Sequence, residues 1–210
     1  RQPVYYQDFM EREAARIEYW EYKLEMWETH GNAKPNVIHE SIVRLEQAGK
    51  VKLVVTQNID GLHRAAGTSE EMLVEIHGTG SLAECQICGA RNPVEASFTQ
   101  FKKTRQPPIC ECGGFLKPAT ISFGQNLREP DLARAFAAAN ACDLVIALGS
   151  TLSVSPANTI PLAAAQAGVP YIIINRDGTD HDCLPQVTLR LTGNVEDLFP
   201  TAVDNILSGD

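Results

Sequence analysis

The sequence predicts an α/β fold: a doubly wound, Rossmann-like parallel sheet with a small zinc-binding insertion and a helical segment. Short apolar runs rich in β-branched residues alternate with segments of helical composition through most of the 210 residues, as successive βαβ units do. Four of the six cysteines form two close pairs within one segment that lacks regular periodicity. Ahead of the strand-like runs, residues 7–30 contain no Pro or Gly, which favours a long helix.

The helices are predicted from composition and from their start and stop signals. Gly31 and Gly49 follow the first two helical segments, and Pro35 lies in the first turn of the second, as is usual at helix ends. The predicted helices span residues 7–30, 35–48, 130–141, 156–167 and 195–207. The predicted strands span residues 52–56, 119–122, 143–149, 171–175 and 187–191.

Charge and hydropathy exclude several classes of protein. A formal net charge of −8 at pH 7 argues against electrostatic binding of nucleic acid, because such binding needs clustered Lys and Arg. No apolar stretch approaches the ~20 residues that span a bilayer, and the opening RQPVYYQDF lacks the apolar region of a secretory signal. We therefore expect a cytoplasmic protein without nucleic-acid or membrane partners. Its oligomeric state is not predicted by the sequence.

The paired cysteines have a spacing close to that of a structural zinc site. Cys85 and Cys88 are followed, after 21 intervening residues, by Cys110 and Cys112. Four thiolates satisfy tetrahedral zinc and leave no open position, so the predicted metal is structural. Two redox pairs or free thiols are the alternative, because a Cys-x-Cys pair is tighter than the usual Cys-x2-Cys.

Polar or Gly-rich segments follow three predicted strands, at the edge where open parallel sheets bind ligands. The candidate ligand residues are Gln57, Asn58 and Asp60 after the first strand, Gly149, Ser150 and Thr151 after the third, and Asn175 after the fourth. Turn-forming clusters have similar compositions, so a purely structural role for each segment stays open. His77 is the natural general base because imidazole titrates near neutral pH, although a lone histidine is often structural.

Several short motifs follow one another along the chain: TQNIDGLH, an isolated HG, the paired cysteines, CGGFLKPATISFGQNL, LGSTLSVSP and IIIN. They come in the order seen in the sirtuin family, so the chain resembles a bacterial-like sirtuin. The resemblance implies a zinc-containing, NAD-dependent protein-lysine deacetylase or deacylase whose partners are acylated-lysine proteins. It also implies a Rossmann-like NAD-binding domain over residues 1–80 and 118–210, with residues 1–31 a helical segment near the acyl pocket. A small zinc-binding module is expected over residues 81–117.

The resemblance also implies residue roles. His77 would be the general base that takes a proton from a ribose hydroxyl. Contacts with NAD would come from Gln57, Asn58, Asp60, Gly149, Ser150, Thr151 and Asn175, and zinc would be held by Cys85, Cys88, Cys110 and Cys112. Substrate contacts would come from Trp20, Lys23, Ile121, Phe123 and Gly124, the last two in a stretch that pairs with the substrate peptide strand to strand. In the family reaction nicotinamide leaves, and the products are free lysine and O-acyl-ADP-ribose.

Three departures from the family pattern matter. The Gly-Ala-Gly-x-Ser cofactor loop and the Pro-Asp-Phe-Arg segment have no counterpart before the first helix, so we expect roughly 30–50 further residues before Arg1 in the natural protein, one βαβ unit's worth. Gln125 replaces the acid of the commoner FGE. Trp20 and Lys23 stand where relatives that remove acidic acyl chains carry Tyr and Arg, so we expect a preference for acetyl or other uncharged groups.

Two other functions stay open at the level of sequence. The first is a sirtuin-like NAD glycohydrolase or ADP-ribosyltransferase, which uses the same cofactor with a different acceptor. The second is a truncated chain or binding module that keeps the fold and the zinc but cannot hold NAD. The peptide-pairing stretch favours deacylation, because a hydrolase has no need to hold an extended peptide.

Overall fold

The structure, a computed structural model, describes residues 2–209. The helices are α1 (Tyr6–Glu11), α2 (Glu13–His30), α3 (Val37–Gln47), α4 (Leu62–Ala66), α5 (Val94–Thr104), α6 (Glu129–Ala139), α7 (Thr159–Gln166) and α8 (Val195–Ser208). The strands are β1 (Val54–Thr56), β2 (Leu73–Glu75), β3 (Gly78–Cys85), β4 (Arg91–Pro93), β5 (Leu116–Thr120), β6 (Val145–Leu148), β7 (Tyr171–Asn175) and β8 (Leu189–Thr192). A single 3-10 turn, Glu70–Met72, precedes β2.

The chain divides into two compact units. Unit 1 contains the described residues of Arg1–Ala33 together with Thr56–Gly61 and His77–Arg128. Unit 2 contains Lys34–Val55, Leu62–Ile76 and the described residues of Glu129–Asp210. This division differs from the predicted domain boundaries, because the N-terminal helices share an apolar core with the cysteine-bearing segment.

Unit 1 is built on an antiparallel sheet in the order β4-β3-β5. Glu84 pairs with Lys117 and Cys85 with Leu116 across β3 and β5. Helices α1, α2 and α5 cover an apolar core, whose fully or almost fully buried members include Phe9, Tyr19, Trp20, Val94, Phe98 and Phe101. The antiparallel sheet was not predicted, and only residues 119–120 of β5 fall within a predicted strand. Strand β4 has three residues, and β3 begins with GTGS, which contains no apolar residue.

The predicted first helix is broken into two at Arg12, which is extended at φ −121° and ψ 126°. The break leaves the last carbonyl groups of α1 without helical partners. Arg16, buried at 9% exposure, donates from Nη1 to the carbonyl oxygens of Phe9 (2.9 Å) and Met10 (3.2 Å). Composition alone could not locate this break, because the compensating hydrogen bonds come from a side chain in the next helix.

Helix α5 lies in a segment for which no regular structure was predicted, and that expectation was wrong. Val94, Phe98 and Phe101 recur at helical spacing and are all buried. Phe98 packs edge-on against Trp20, with ring centroids 5.4 Å apart. The segment that carries the cysteines is therefore held by an apolar core as well as by its metal-binding residues, and the spacing of these three side chains was the signal for the helix.

Unit 2 contains the predicted parallel sheet, in the order β6-β7-β8. Alternate residues of β7 point to opposite faces: Ile174 joins a core with Ile42 and Phe199, whereas Tyr171 and Ile173 pack with Leu152 on the other. Helices α3 and α8 contribute to the first core and α7 to the second. A sheet covered on both faces confirms the doubly wound α/β prediction.

Local signals explain where several elements of unit 2 begin. The Asn36 side chain accepts hydrogen bonds from the N–H groups of Ile38 and His39, and His39 completes a capping box at the start of α3. Asn194 caps α8 through its side chain, which accepts a hydrogen bond from the N–H of Glu196. Strands β1 and β2 form a separate two-stranded sheet. Within residues 2–209, no helix has both the length and the apolar character needed to cross a membrane.

Candidate functional site

The four paired cysteines come together at one end of unit 1. Their sulfur atoms all lie within 4.8 Å of one another, with Sγ–Sγ distances of 3.5 Å between Cys85 and Cys112 and 3.8 Å between Cys88 and Cys110. A regular tetrahedron with zinc–sulfur bonds of about 2.3 Å separates its sulfurs by about 3.8 Å. All four are free thiols, and their arrangement fits a structural zinc ion with no open coordination position.

The backbone around the cluster favours the thiolate form that zinc binds. The N–H groups of Cys88 and Ile87 donate to the sulfur of Cys85 and lower the pKa of this thiol to about 6. Gly114 leaves room for the metal-binding turn, because a Cβ atom there would lie 2.5 Å from the Cys85 sulfur. The backbone and the side chains of this turn therefore act together to gather the four sulfurs.

One ring nitrogen of His77 is hydrogen-bonded to the backbone. Its Nδ1 lies 3.1 Å from the carbonyl oxygen of Gln57. A carbonyl oxygen only accepts hydrogen bonds, so Nδ1 must carry the proton in this contact. The neutral imidazole then has its lone pair on Nε2, which is the arrangement that a general base requires. The ring is half-buried.

The backbone at His77 is fixed against β5. The His77 carbonyl accepts a hydrogen bond from the N–H of Ile121 at 2.8 Å, and Gly78 pairs with Thr120. Gly78 has φ +76°, and a Cβ atom would lie only 2.1 Å from the carbonyl oxygen of Ala119. Only glycine tolerates both conditions. The HG pair is thus required for the close approach that holds His77 beside the start of the Ile121–Gly124 stretch.

The polar residues after β1 lie in a loop of the same unit. Asn58 donates its backbone N–H to the hydroxyl of Thr56 at 3.1 Å, and Gly80 donates to the carbonyl of Ile59 at 2.8 Å. These bonds turn the side chains of Asn58 and Asp60 to the surface, where both residues are exposed. The loop therefore presents an amide and a carboxylate beside the segment that orients His77.

The stretch after β5 is a tight turn and not the continued strand that the sequence predicts. Gln125 donates its N–H to the Ser122 carbonyl at 3.0 Å, and its side-chain oxygen accepts from the Ser122 N–H at 3.1 Å. Phe123 is 58% exposed, and its carbonyl accepts from the N–H of Tyr6 at 2.9 Å. A glutamate at position 125 would also offer a side-chain oxygen to the Ser122 N–H. The Gln125 side chain can therefore hold the same turn as the acid of the commoner FGE.

Trp20 does not suit the substrate contact predicted for it. The side chain is fully buried, and its indole N–H donates to the carbonyl of Leu116 at 3.2 Å. It therefore belongs to the core of unit 1. Lys23, the other predicted acyl contact on α2, lies with its amino group 5.5 Å from the Tyr19 ring centroid, and burial lowers its pKa to about 8.

Lys117 is a buried amino group that sequence analysis did not identify. It is 1% exposed and donates to the carbonyl oxygens of Pro118 (3.2 Å) and Thr120. Burial lowers its pKa to about 7, with a further contribution from the charge of Lys23 that Glu84 opposes. An unfolded lysine takes up its proton at about pH 10.4, so Lys117 lowers the stability of the folded state as the pH falls from about 10 to about 7.

Lys117→Met is therefore expected to flatten the pH dependence of the free energy of unfolding. In the wild-type protein this residue contributes a rise of up to about 1.4 kcal/mol per pH unit between its folded and unfolded pKa values. Urea titrations at several pH values from 7.5 to 9.5, with zinc present, measure the slope. Lys103→Met, at an exposed position on α5, is the control, and equal slopes for the two variants would contradict the prediction.

The remaining candidate residues lie in unit 2, at the carboxyl ends of β6 and β7. Gly149 has φ +63° and donates its N–H to the Ile174 carbonyl at 3.0 Å. The Ser150 hydroxyl accepts from the N–H of Leu152 at 3.1 Å, and the Thr151 and Ser153 hydroxyls lie 2.8 Å apart. Leu152 adopts φ +56° while its side chain is buried, a strained conformation of the kind found in ligand-binding loops.

The comparisons with known proteins agree with this geometry. A family model described as the Sir2 family matches residues 1–156. The chain is also 39% identical to the NAD-dependent protein deacetylase 1 of Bradyrhizobium diazoefficiens over 188 residues, which cover 90% of this chain and 74% of that relative. The chain belongs to the Sir2 family. The resemblance to sirtuins inferred from the sequence motifs is confirmed.

Solved sirtuin structures resemble this Sir2 family chain along almost its whole length. A Sir2 homologue in complex with NAD has a TM-score of 0.86 at 28% identity, and the match covers 98% of this chain and 77% of that one. Sir2 in complex with the inhibitor EX-527, 2′-O-acetyl-ADP-ribose and a deacetylated p53 peptide has a TM-score of 0.83 at 29% identity, covering 98% and 84%. The predicted fold class is thus confirmed by structural similarity.

Proposed function

We propose that the chain is an NAD-dependent protein-lysine deacetylase, which removes acetyl or another uncharged acyl group and gives nicotinamide and O-acyl-ADP-ribose. The observation that carries the proposal is the state of His77: the Gln57 carbonyl fixes the proton on Nδ1 and leaves Nε2 basic. Membership of the Sir2 family and the 39% identity to a protein deacetylase support it.

His77 is proposed as the general base. Its Nε2 accepts a proton from a ribose hydroxyl, and the Nδ1–H contact with the Gln57 carbonyl stabilises the imidazolium that forms. Because the His77 carbonyl is tied to Ile121, the base keeps a constant position relative to the Ile121–Gly124 stretch. General-base catalysis depends on such positioning as much as on pKa.

The residues after β1, β6 and β7 have the chemistry to hold NAD, which supplies an activated ribose as the acyl acceptor. Asn58 and Asp60 present exposed polar side chains in unit 1, suited to hydroxyl and amide groups. In unit 2, the Gly149–Thr151 loop offers hydroxyls and a backbone left open by the absence of a side chain at Gly149. Asn175, at the end of β7, would contact the adenosine side.

The substrate is proposed to be an acylated-lysine segment of another protein, lying along Ile121, Phe123 and Gly124. Phe123 and Gly124 are exposed, so a peptide has access to the apolar ring of Phe123 and to Gly124, while the Phe123 carbonyl already accepts from the N–H of Tyr6. Lys23 stands at the position on α2 where relatives that remove acidic acyl chains carry Arg. A single amino group whose pKa is lowered to about 8 cannot form the two-pronged contact that guanidinium makes with a carboxylate, which favours uncharged acyl groups.

Nicotinamide release, measured with and without an acetylated peptide, tests the proposed function. Release that depends on the peptide is the expected result, and the same peptide in succinylated form should be a poorer substrate. Peptide-independent release would instead identify a glycohydrolase or an ADP-ribosyltransferase. No release from folded, zinc-loaded protein would identify a binding module, and equal turnover of the two acylated peptides would contradict the proposed acyl preference.

A further inference from the structure

Arg190, in the middle of β8, binds the loop that follows the neighbouring strand β7. Its Nη1 donates to the carbonyl of Asn175 at 2.8 Å and also to that of Leu191, and its Nη2 donates to the carbonyl of Asp177 at 2.7 Å. Its Nε donates to a carboxylate oxygen of Asp182 at 2.8 Å. The side chain is only 17% exposed, so one guanidinium group joins three separate parts of the chain.

Two of these contacts close the turn at residues 175–177. The Asn175 side-chain amide donates to the Asp177 carbonyl at 2.9 Å, so this oxygen accepts from both Asn175 and Arg190. The backbone oxygen of Asn175 also accepts from the N–H of Gly193 at 3.2 Å. Arg190 therefore fixes the backbone on each side of the Asn175 side chain, which is itself buried at 8% exposure.

The contact between Arg190 and Asp182 extends the network to the loop after β6. Asp182 accepts from the hydroxyl of Thr179 at 2.5 Å and from its N–H at 3.1 Å, and the Thr179 hydroxyl together with the Arg190 guanidinium holds the pKa of Asp182 below its usual value. Asp180, between them, donates its N–H to the carbonyl of Thr151 at 3.0 Å. The network that begins at Arg190 thus reaches both loops proposed to hold the adenosine side of NAD.

We infer that Arg190 is a positioning residue for NAD binding, which holds the Asn175–Asp177 turn and, through Asp182, the Gly149–Thr151 loop in their binding conformation. The inference rests on the proposed function for its ligand. Arg190 is not expected to touch the reacting atoms, and the residues named in its network all belong to unit 2. Its effect should therefore fall on NAD and not on the acylated peptide.

Arginine is required at position 190 because its hydrogen bonds reach three acceptors in different directions, on Asn175, Asp177 and Asp182. The guanidinium offers five N–H donors in a rigid fork, whereas lysine offers a single point charge on a flexible stem. Arg190→Lys keeps the charge and most of the apolar stem, so the fold should survive while the simultaneous contacts with Asn175, Asp177 and Asp182 are lost. Loss of one or two hydrogen bonds from a charged group reduces the population of the loop conformation that they hold by roughly 10- to 100-fold.

Three variants are compared with the wild-type protein. The KM for NAD, the KM for an acetylated peptide and kcat are measured in each, together with the melting temperature and the NAD affinity by calorimetry. Arg190→Lys should raise the KM and the dissociation constant for NAD roughly 10- to 100-fold, with kcat and the peptide KM unchanged. Asp182→Ala should raise the same two constants to a smaller extent. Arg44→Met, which removes an exposed ion pair between α3 and α8, should leave all the measurements near wild type.

The readouts separate failure of this inference from failure of the proposed function. If wild-type protein binds NAD but releases no nicotinamide, the proposed function fails, and calorimetry on the variants still decides the role of Arg190. Unchanged NAD affinity in folded Arg190→Lys or in Asp182→Ala overturns the inference. A parallel loss of kcat, peptide affinity and melting temperature also overturns it, because Arg190 would then be a folding residue.

Discussion

Replacing His77 with alanine is expected to reduce turnover of an acetylated peptide roughly 10²–10⁴-fold, the usual cost of removing a general base. The structure gives the reason: the Nδ1 proton is held by the Gln57 carbonyl, so Nε2 is the basic atom and alanine leaves nothing in its place. Some nicotinamide exchange is expected to survive, because the first step of the family reaction does not require the base. Rates with saturating NAD and peptide measure the effect.

A second substitution distinguishes the chemical role of His77 from a structural one. In His77→Asn the side-chain amide nitrogen takes the place of Nδ1 and can still donate to the Gln57 carbonyl, but it cannot act as a base. The asparagine variant is therefore expected to keep the wild-type melting temperature and to be as inactive as the alanine variant. Near-normal turnover in either variant would assign His77 a structural role only.

Replacing Cys85 with serine is expected to remove zinc and to destabilise unit 1. Cys85 is 2% exposed, at the end of β3 and paired with Leu116 of β5, so the metal anchors the middle strand of the antiparallel sheet. Binding of structural zinc to small modules contributes on the order of 10 kcal/mol, and this free energy is coupled to folding. We expect one zinc per chain in the wild-type protein, little in the variant, and a lower melting temperature or solubility.

Cys183→Ser is the matched control for this experiment. Cys183 is exposed and lies outside the four-sulfur cluster, so its loss should change neither metal content nor stability. Elemental analysis of the purified proteins measures the metal directly. Wild-type protein that contains no zinc, or that contains a disulfide between any two of the four cluster cysteines, would contradict the assignment.

The sequence by itself was sufficient for features that depend on local composition or on chain order. Strand β7 was predicted at its observed bounds, Tyr171–Asn175, because four consecutive residues of high β propensity follow Pro170 and end at the polar Asn175. The zinc ligands were predicted because four thiolates at close spacing have few other uses in such a chain. The family was predicted from the order of several short motifs, none of which was specific in isolation.

Tertiary structure decided the features that depend on partners distant in the sequence. The burial of Trp20 follows from the presence of α5, whose Phe98 and Phe101 pack against it, and α5 itself was missed because cysteines and prolines dominated the interpretation of its segment. The division into units could not be predicted either. The division depends on which apolar faces the N-terminal helices cover, and amino-acid composition does not indicate which elements pack together.

The same distinction applies to the candidate site. The sequence identified His77 as a base by its residue type, but only the 3.1 Å contact with the Gln57 carbonyl determines which nitrogen is basic. In the sequence Arg190 is one charge in a short predicted strand, and its role depends on the pairing of β8 with β7, which brings its donors to Asn175 and Asp177. Residue type limits the chemistry that a side chain can perform, whereas the fold decides which atoms it meets.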